Sequence, residues 1–245
     1  MSLSTYHHRD AHILYDPARL AQPDLPILPA FGEAWLDPDA WAERGLVVGS
    51  APGRGASQFL AVDDHHWVLR PYRRGGMAAK VSQADYLWTG LERTRGFREM
   101  RLTRALFEQG LPVPAPVAAI VVRRGITYRA ALITERLPKS QALAERLASA
   151  SPRLLADVGA TIRRFHDAGL DHVDLNARNL LVSADDKVWL IDFDRCRLRP
   201  EGAWRQRNLL RLKRSLLRFS PANAEPFFTA LVDGYRNVPA DHDKV

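Results

Sequence analysis

The stretch from His172 to Asp194 constrains the fold of this chain more than any other. His172-Val-Asp-Leu-Asn-Ala-Arg-Asn179 sets Asp174 five residues ahead of Asn179. An apolar strand, Val-Trp-Leu-Ile-Asp-Phe, then delivers Asp192-Phe-Asp194, with Asp192 thirteen residues beyond Asn179. A loop and a strand end at this separation present carboxylates and an amide, hard oxygen donors of the kind Mg²⁺ prefers. Either carboxylate alone would read as a solvated loop residue. Two motifs in this order and separation are hard to produce by chance.

Around this stretch the chain has two characters. Residues 1–30 are rich in Pro and Asp (Pro17, Pro23, Pro26, Pro29) and read as an irregular N-terminal extension. From Gly45 the pattern turns to short strands: Leu46 to Gly49, Gln58 to Val62 and His66 to Arg70, with Gly49, Gly53 and Gly55 clustered between the first two. Residues 97–109 space Phe97, Met100, Leu102, Leu106 and Phe107 helically, and Gly110 with Pro112 closes that helix. Two apolar runs follow, parted by a turn at Arg123 to Gly125. Beyond Pro138 the signals become helical: Ser151-Pro152 opens a helix over 151–168 as N-cap and first-turn proline. The expectation is an α+β chain of two lobes, a small β-rich one over 31–137 and a larger helical one over 138–245.

At 245 residues, with 46% hydrophobic and 26% charged side chains, the chain can bury a core without staples. The single cysteine, Cys196, excludes an internal disulfide framework and fits a reducing compartment. The first thirty residues lack a basic start followed by an apolar run, so no secretory signal is expected. No apolar stretch reaches the roughly 18 residues a spanning helix needs. A net charge of +7 favours an anionic partner.

The loop and the strand-end motif resemble those of protein kinases, H-R-D-x-x-x-x-N and D-F-G. The resemblance implies that Asp174 accepts or orients the acceptor hydroxyl proton, while Asn179 and Asp192 hold Mg²⁺. Gly53 and Gly55 lie where a glycine-rich loop approaches the phosphates of ATP. The strand Trp-Val-Leu-Arg-Pro-Tyr carries Arg70 where kinases carry a phosphate-binding lysine, with Lys80 the alternative cation. Glu99 either pairs with that cation or is an exposed helix acid beside a neighbouring arginine. Thr134-Glu135-Arg136-Leu137 ends the last strand before Pro138, where the adenine-binding hinge belongs, which makes Glu135 and Leu137 candidates. Asp194 stands where kinases have glycine, and no A-P-E sequence follows to build a platform for protein substrates.

Longer runs are more specific: GRGASQF, VLRPYRRGGMAAK, YLWTGLERTRGFREMRL, GLPVPAPVAA, IRRFHDAGLDHVDLNARNLL, LIDFDRCRLR and NLLRLKRSLL. Together they span about residues 53 to 219 and resemble the Kdo (3-deoxy-D-manno-octulosonic acid) kinase family, related to lipopolysaccharide heptose kinases. Arginine at position 70 looks normal in that family. The resemblance implies a protein-kinase-like fold and transfer of the ATP γ-phosphate to a hydroxyl, the 4-OH, of Kdo on a lipid A precursor. The enzyme would then work at the cytoplasmic face of the inner membrane, as a peripheral protein.

Basic residues crowd residues 70–104 (Arg70, Arg73, Arg74, Lys80, Arg93, Arg95, Arg98, Arg101, Arg104), and Kdo and lipid A are anionic. Most of these arginines read as solvated surface. Residues 204–219 place Leu209, Leu212, Leu216 and Phe219 on one stripe and Arg207, Arg211, Arg214 and Arg218 on another. Such a helix can lie on an anionic membrane surface or in a core; the reading here puts the leucines in the core and keeps the membrane for the arginines. His166 and His172 read as structural. A nucleic-acid partner has only the net charge in its favour, since no recognition motif occurs. An aminoglycoside- or choline-type kinase would need acidic pockets for its cationic substrates. A silent kinase-like module should have lost Asp174 or Asp192, and nothing in the sequence calls for an obligate protein partner.

Overall fold

The computed structural model describes residues 2–21, 28–51, 57–73 and 85–237. The first residues are not an irregular extension. Ser4–His8 (β1) and Ala11–Tyr15 (β2) form an antiparallel hairpin, and β2 pairs onward with the strand Pro116–Arg124. The prolines begin only at Pro17, beyond the hairpin. Averaging composition over thirty residues hid a short strand that buries Ala11, Ile13 and Leu14.

The chain divides into two compact units, one of Met1–Ala105 with Pro114–Arg136, the other of Leu106–Val113 with Leu137–Val245. In the first, Pro38–Glu43 (α1) precedes Val47–Ser50 (β3), Gln58–Val62 (β4), His65–Pro71 (β5) and Tyr86–Leu87 (β6). Helix α2 (Arg95–Glu108), Pro116–Arg124 (β7) and Thr127–Glu135 (β8) follow. The strands make an antiparallel sheet in the order β1-β2-β7-β8-β5-β4-β3, with β6 also paired to β8. Side chains alternate across its two faces. Val117, Ile120, Leu60, Leu69 and Ile133 bury one face against Trp35 and Trp41, while Ala119, Val121, Tyr128 and Leu132 bury the other against Phe97 and Met100 of α2. Covered on both sides, β7 is apolar at nearly every position rather than at alternate ones.

The second unit holds Gln141–Ala142 (β9), Leu143–Arg146 (α3), Pro152–Asp167 (α4) and Leu170–Asp171 (β10). Leu180–Val182 (β11), Val188–Leu190 (β12), Arg197–Leu198 (β13), Trp204–Phe219 (α5) and Ala224–Arg236 (α6) complete it. Helix α4 starts as its sequence dictates: Ser151 Oγ accepts from the Leu154 N–H at 3.1 Å and Pro152 takes the first turn. Its packing with α6 depends on two glycines. A Cβ on Gly159 would lie 1.9 Å from the Leu231 carbonyl oxygen, and one on Gly234 would lie 2.0 Å from that of Ala156. The leucine stripe of α5 is only half as expected. Leu212 and Leu216 are buried, Leu209 and Phe219 are half-buried, and the polar Asn208 and Ser215 complete the buried face.

Candidate active site

Helix α4 ends at Gly169, whose φ of +83° and whose approach to the Arg199 carbonyl (2.8 Å from a built Cβ) leave no place for a side chain. The chain turns there into β10 and then into the loop from His172 to Asn179. His172 is buried, with Nε2 3.0 Å from the Ile191 carbonyl oxygen. Only an N–H satisfies that carbonyl, so the ring carries its proton on Nε2. Burial holds the His172 pKa below its ordinary value, and the hydrogen bond to Ile191 opposes that shift. A neutral, edge-on ring against Phe193 (centroids 5.7 Å apart) fits the structural role expected of it.

Beyond His172 the loop is tied to itself. Asn176 Oδ1 accepts from the N–H groups of Arg178 (2.8 Å) and Asn179 (3.3 Å). The side-chain amides of Asn176 and Asn179 both donate to the Asp174 carbonyl, at 2.9 and 3.0 Å. Asp174 is thereby fixed through its backbone, while its side chain is exposed. The second contact also sets the Asn179 amide: with the nitrogen turned to a carbonyl, the oxygen is the atom it offers.

The loop is then stitched to the strand end. Ile191 donates its N–H to the Asn179 carbonyl at 3.0 Å and accepts from His172. Both main-chain groups of the residue before Asp192 are therefore held by the loop, and the strand proper stops at Leu190 instead of running on to Phe193. Asp192 follows with φ +64°, a left-handed conformation that Asp tolerates better than most residues and that tends to mark functional positions. Carboxylate and amide oxygens on such a fixed frame suit Mg²⁺, which takes hard oxygen ligands in a strict geometry.

Helix α5 supports the loop from outside. Asn208 Oδ1 accepts from the His172 N–H (3.0 Å), and its Nδ2 donates to Asp171 Oδ1 (3.1 Å). Asp171, buried, takes Arg199 Nη1 on its other oxygen at 3.0 Å. Ser215 Oγ accepts from the Ala177 N–H at 3.0 Å.

In the first unit, Arg70 on β5 meets Glu99 on α2: Nη2 lies 2.5 Å from Oε1. Glu99 is not an exposed helix acid, for it is 3% exposed. Its second oxygen accepts from Tyr72 Oη at 2.5 Å, and the Tyr72 ring lies 4.9 Å from the Arg70 guanidinium carbon. Tyr72 thus touches both members of the pair. Other arginines of this region serve the fold: Arg104 bonds to the buried Asp16 and Arg101 to Glu92. At the end of β8, the Glu135 N–H donates to Ala115 O (2.8 Å) and its carboxylate meets Arg19 (3.0 Å). In the second unit, the Leu137 carbonyl accepts from Ser140 Oγ at 2.9 Å. Gly53, Gly55, Arg74 and Lys80 lie outside the described residues.

A model of the lipopolysaccharide kinase (Kdo/WaaP) family matches residues 38–231. The chain belongs to that family. It is accordingly a phosphotransferase of lipopolysaccharide biosynthesis. Its relatives include the 3-deoxy-D-manno-octulosonic acid kinase of Xanthomonas campestris pv. campestris, 49% identical across 84% of this chain and 80% of that protein. Proteins of the same name from Stenotrophomonas maltophilia (84% of this chain, 80% of the relative) and Xylella fastidiosa (86% and 82%) are each 46% identical. A solved kinase structure from Cydia pomonella granulovirus aligns with a TM-score of 0.43 at 9% identity, over 62% of this chain and 52% of that one, which adds nothing to the assignment. In this chain the loop holds Asp174 and Asn179 together and is hydrogen-bonded to the strand end that precedes Asp192. Tyr72, Asn208 and Ser215 were not visible beforehand. They lie within runs quoted for the family but could not be singled out there, because their partners are 27, 36 and 38 residues away in sequence.

Proposed function

We propose that this chain is a Kdo kinase that transfers the γ-phosphate of ATP to a hydroxyl, the 4-OH, of Kdo on a lipid A precursor. The observation that carries the reading is the exposed Asp174 carboxylate on a loop otherwise held rigid, in a chain whose relatives are named for that activity. In the second unit, Asp174 takes up or orients the proton of the acceptor hydroxyl as its oxygen attacks phosphorus. Asn179 and Asp192 would hold Mg²⁺, which when bound neutralises charge on the phosphate oxygens. In the first unit, Arg70, which gives an N–H to Glu99, would meet the ATP phosphates as the phosphate-binding cation. Glu135 and Leu137 would serve adenine through main-chain groups, with Gly53 and Gly55 at the phosphates.

The reading includes a place of work, the cytoplasmic face of the inner membrane. Among the described residues no helix is long and apolar enough to cross a membrane. The exposed side of α5 carries Arg207, Leu210, Arg214 and Leu217, and both leucines are 43% exposed. Arg207 and Arg214 have no ion-pair partner among the described residues. A basic face with protruding leucines suits the surface of an anionic leaflet.

Incubation of the purified protein with ATP, Mg²⁺ and a Kdo-bearing lipid A precursor tests the reading. Phosphate appearing on Kdo supports it. Transfer only to a heptose-bearing acceptor moves the chain to the other sugar of this family. No transfer to either acceptor removes the reading.

A further inference from the structure

Two guanidiniums of the second unit lie against one aromatic ring. Arg178, in the loop between Asp174 and Asn179, is 5.0 Å from the centre of the Phe219 ring, and Arg218 is 5.6 Å from it. Both side chains are exposed, and neither meets a carboxylate among the described residues. Two like charges held beside one ring repel each other, and the quadrupole of a single ring offsets them only weakly. Arg218 has a local reason for its position, in the last turn of α5, where the helix dipole favours a cation. Arg178 has none. It comes from the catalytic loop, beside the Ala177 N–H that Ser215 holds at 3.0 Å, three residues before Arg218 along α5. A guanidinium laid against a ring keeps its N–H edge free to meet a carboxylate or phosphate in bidentate fashion.

We propose that Arg178 and Arg218, seated on Phe219, form a binding site for an anionic group of the acceptor, a carboxylate or a phosphate. The site rests on the reading of Asp174 as the residue that faces the acceptor hydroxyl. One loop then reads both features of the acceptor, its hydroxyl through Asp174 and its charge through Arg178. An uncharged sugar would leave the two cations uncompensated, so the site selects acidic acceptors.

Steady-state kinetics of the full chain test this, with the acceptor and ATP varied separately. With a Kdo-bearing lipid A precursor, R178Q and R218Q should each raise the acceptor KM about tenfold or more, the loss expected for one charge-assisted contact. The ATP KM should stay near that of the parent, and R178K should recover part of the loss. Two altered precursors locate the anion. If the variants and the parent become equal on a precursor whose Kdo carboxyl is a methyl ester, the site reads the carboxylate. If they become equal on a precursor stripped of its lipid A phosphates, it reads phosphate. An acceptor KM within twofold of the parent in both variants overturns the site, as does an equal rise in the ATP KM. Asp174→Asn separates the two claims: activity that survives this change defeats the catalytic reading, whatever the arginines do.

Discussion

Asp174 contributes its carbonyl to the internal bonds of the loop and leaves its carboxylate exposed, so Asp174→Ala removes chemistry with little structural damage. The turnover number should fall at least about a hundredfold, the usual scale for a lost acid–base group, with the thermal midpoint and ATP affinity nearly unchanged. Near-normal turnover in that variant would take Asp174 out of the mechanism. Arg70→Lys should keep part of the activity, and Arg70→Ala should weaken ATP binding about tenfold to a hundredfold. Tyr72→Phe, which removes only the hydroxyl on Glu99, should give a smaller loss in the same direction. If alanine at Arg70 is silent in ATP titrations while alanine at Lys80 is not, the phosphate cation is the lysine. Asp174, Asn179 and Asp192 could be read as candidates from their spacing and its resemblance to kinase motifs, because a loop and the strand end it is tied to keep their separation in sequence. Tyr72 was hidden for the opposite reason. Its value lies in reaching Glu99 on another element, and no local pattern encodes that.

Among the elements, the contact between α4 and α6 is the one a single methyl group would spoil. Gly159→Ala or Gly234→Ala would drive a Cβ into a carbonyl that cannot move without its helix, so either should cost about 3 kcal/mol or more in chemical denaturation. An unchanged midpoint would mean that the helices lie further apart. The same interface should be acid-sensitive. His166 on α4 is buried and meets Tyr235 Oη of α6 at 2.9 Å; burial, helped by the Arg205 charge, lowers its pKa to about 4. A histidine depressed in the fold binds fewer protons there than in the unfolded chain. Stability is therefore full above the ordinary value of 6.5 and falls as pH drops towards 4, by up to about 3 kcal/mol from this group. Buried His172 adds to the loss in the same direction. Denaturation followed across that range should show the decline, and His166→Gln should flatten it. Helix α4 was legible to the residue because its cap and proline are local signals. The β1–β2 hairpin was not, because it exists only by pairing with β7, more than a hundred residues away.

For the molecule as a whole, the net charge of +7 and the outward face of α5 lead to one expectation about where it resides. Binding to vesicles should need anionic lipid and should fade with salt, since each basic residue near such a surface contributes about 1 kcal/mol and the field decays over roughly 8 Å at physiological ionic strength. Charge reversal at Arg207 and Arg214 should release the protein without unfolding it. Association that survives molar salt would point to insertion of Leu210 and Leu217 instead, and indifference to lipid charge would leave recruitment to the lipid substrate alone. The sequence showed the arginines of this face and put Leu212 and Leu216 on the core side, but it did not pick out Leu210 and Leu217 beside the arginines. Helical periodicity finds a stripe, and Asn208 and Ser215 turn that stripe toward the loop from His172 to Asn179, where their hydrogen bonds are made. That dependence has a consequence for the order of biosynthesis. A ribosome makes the carboxylates of the loop first, and the residues that hold the loop in place follow 36 and 38 positions behind their partners. The nascent chain thus carries the loop, tied by its own bonds, before it has the Asn208 and Ser215 contacts that brace it, and that bracing arrives only as α5 emerges.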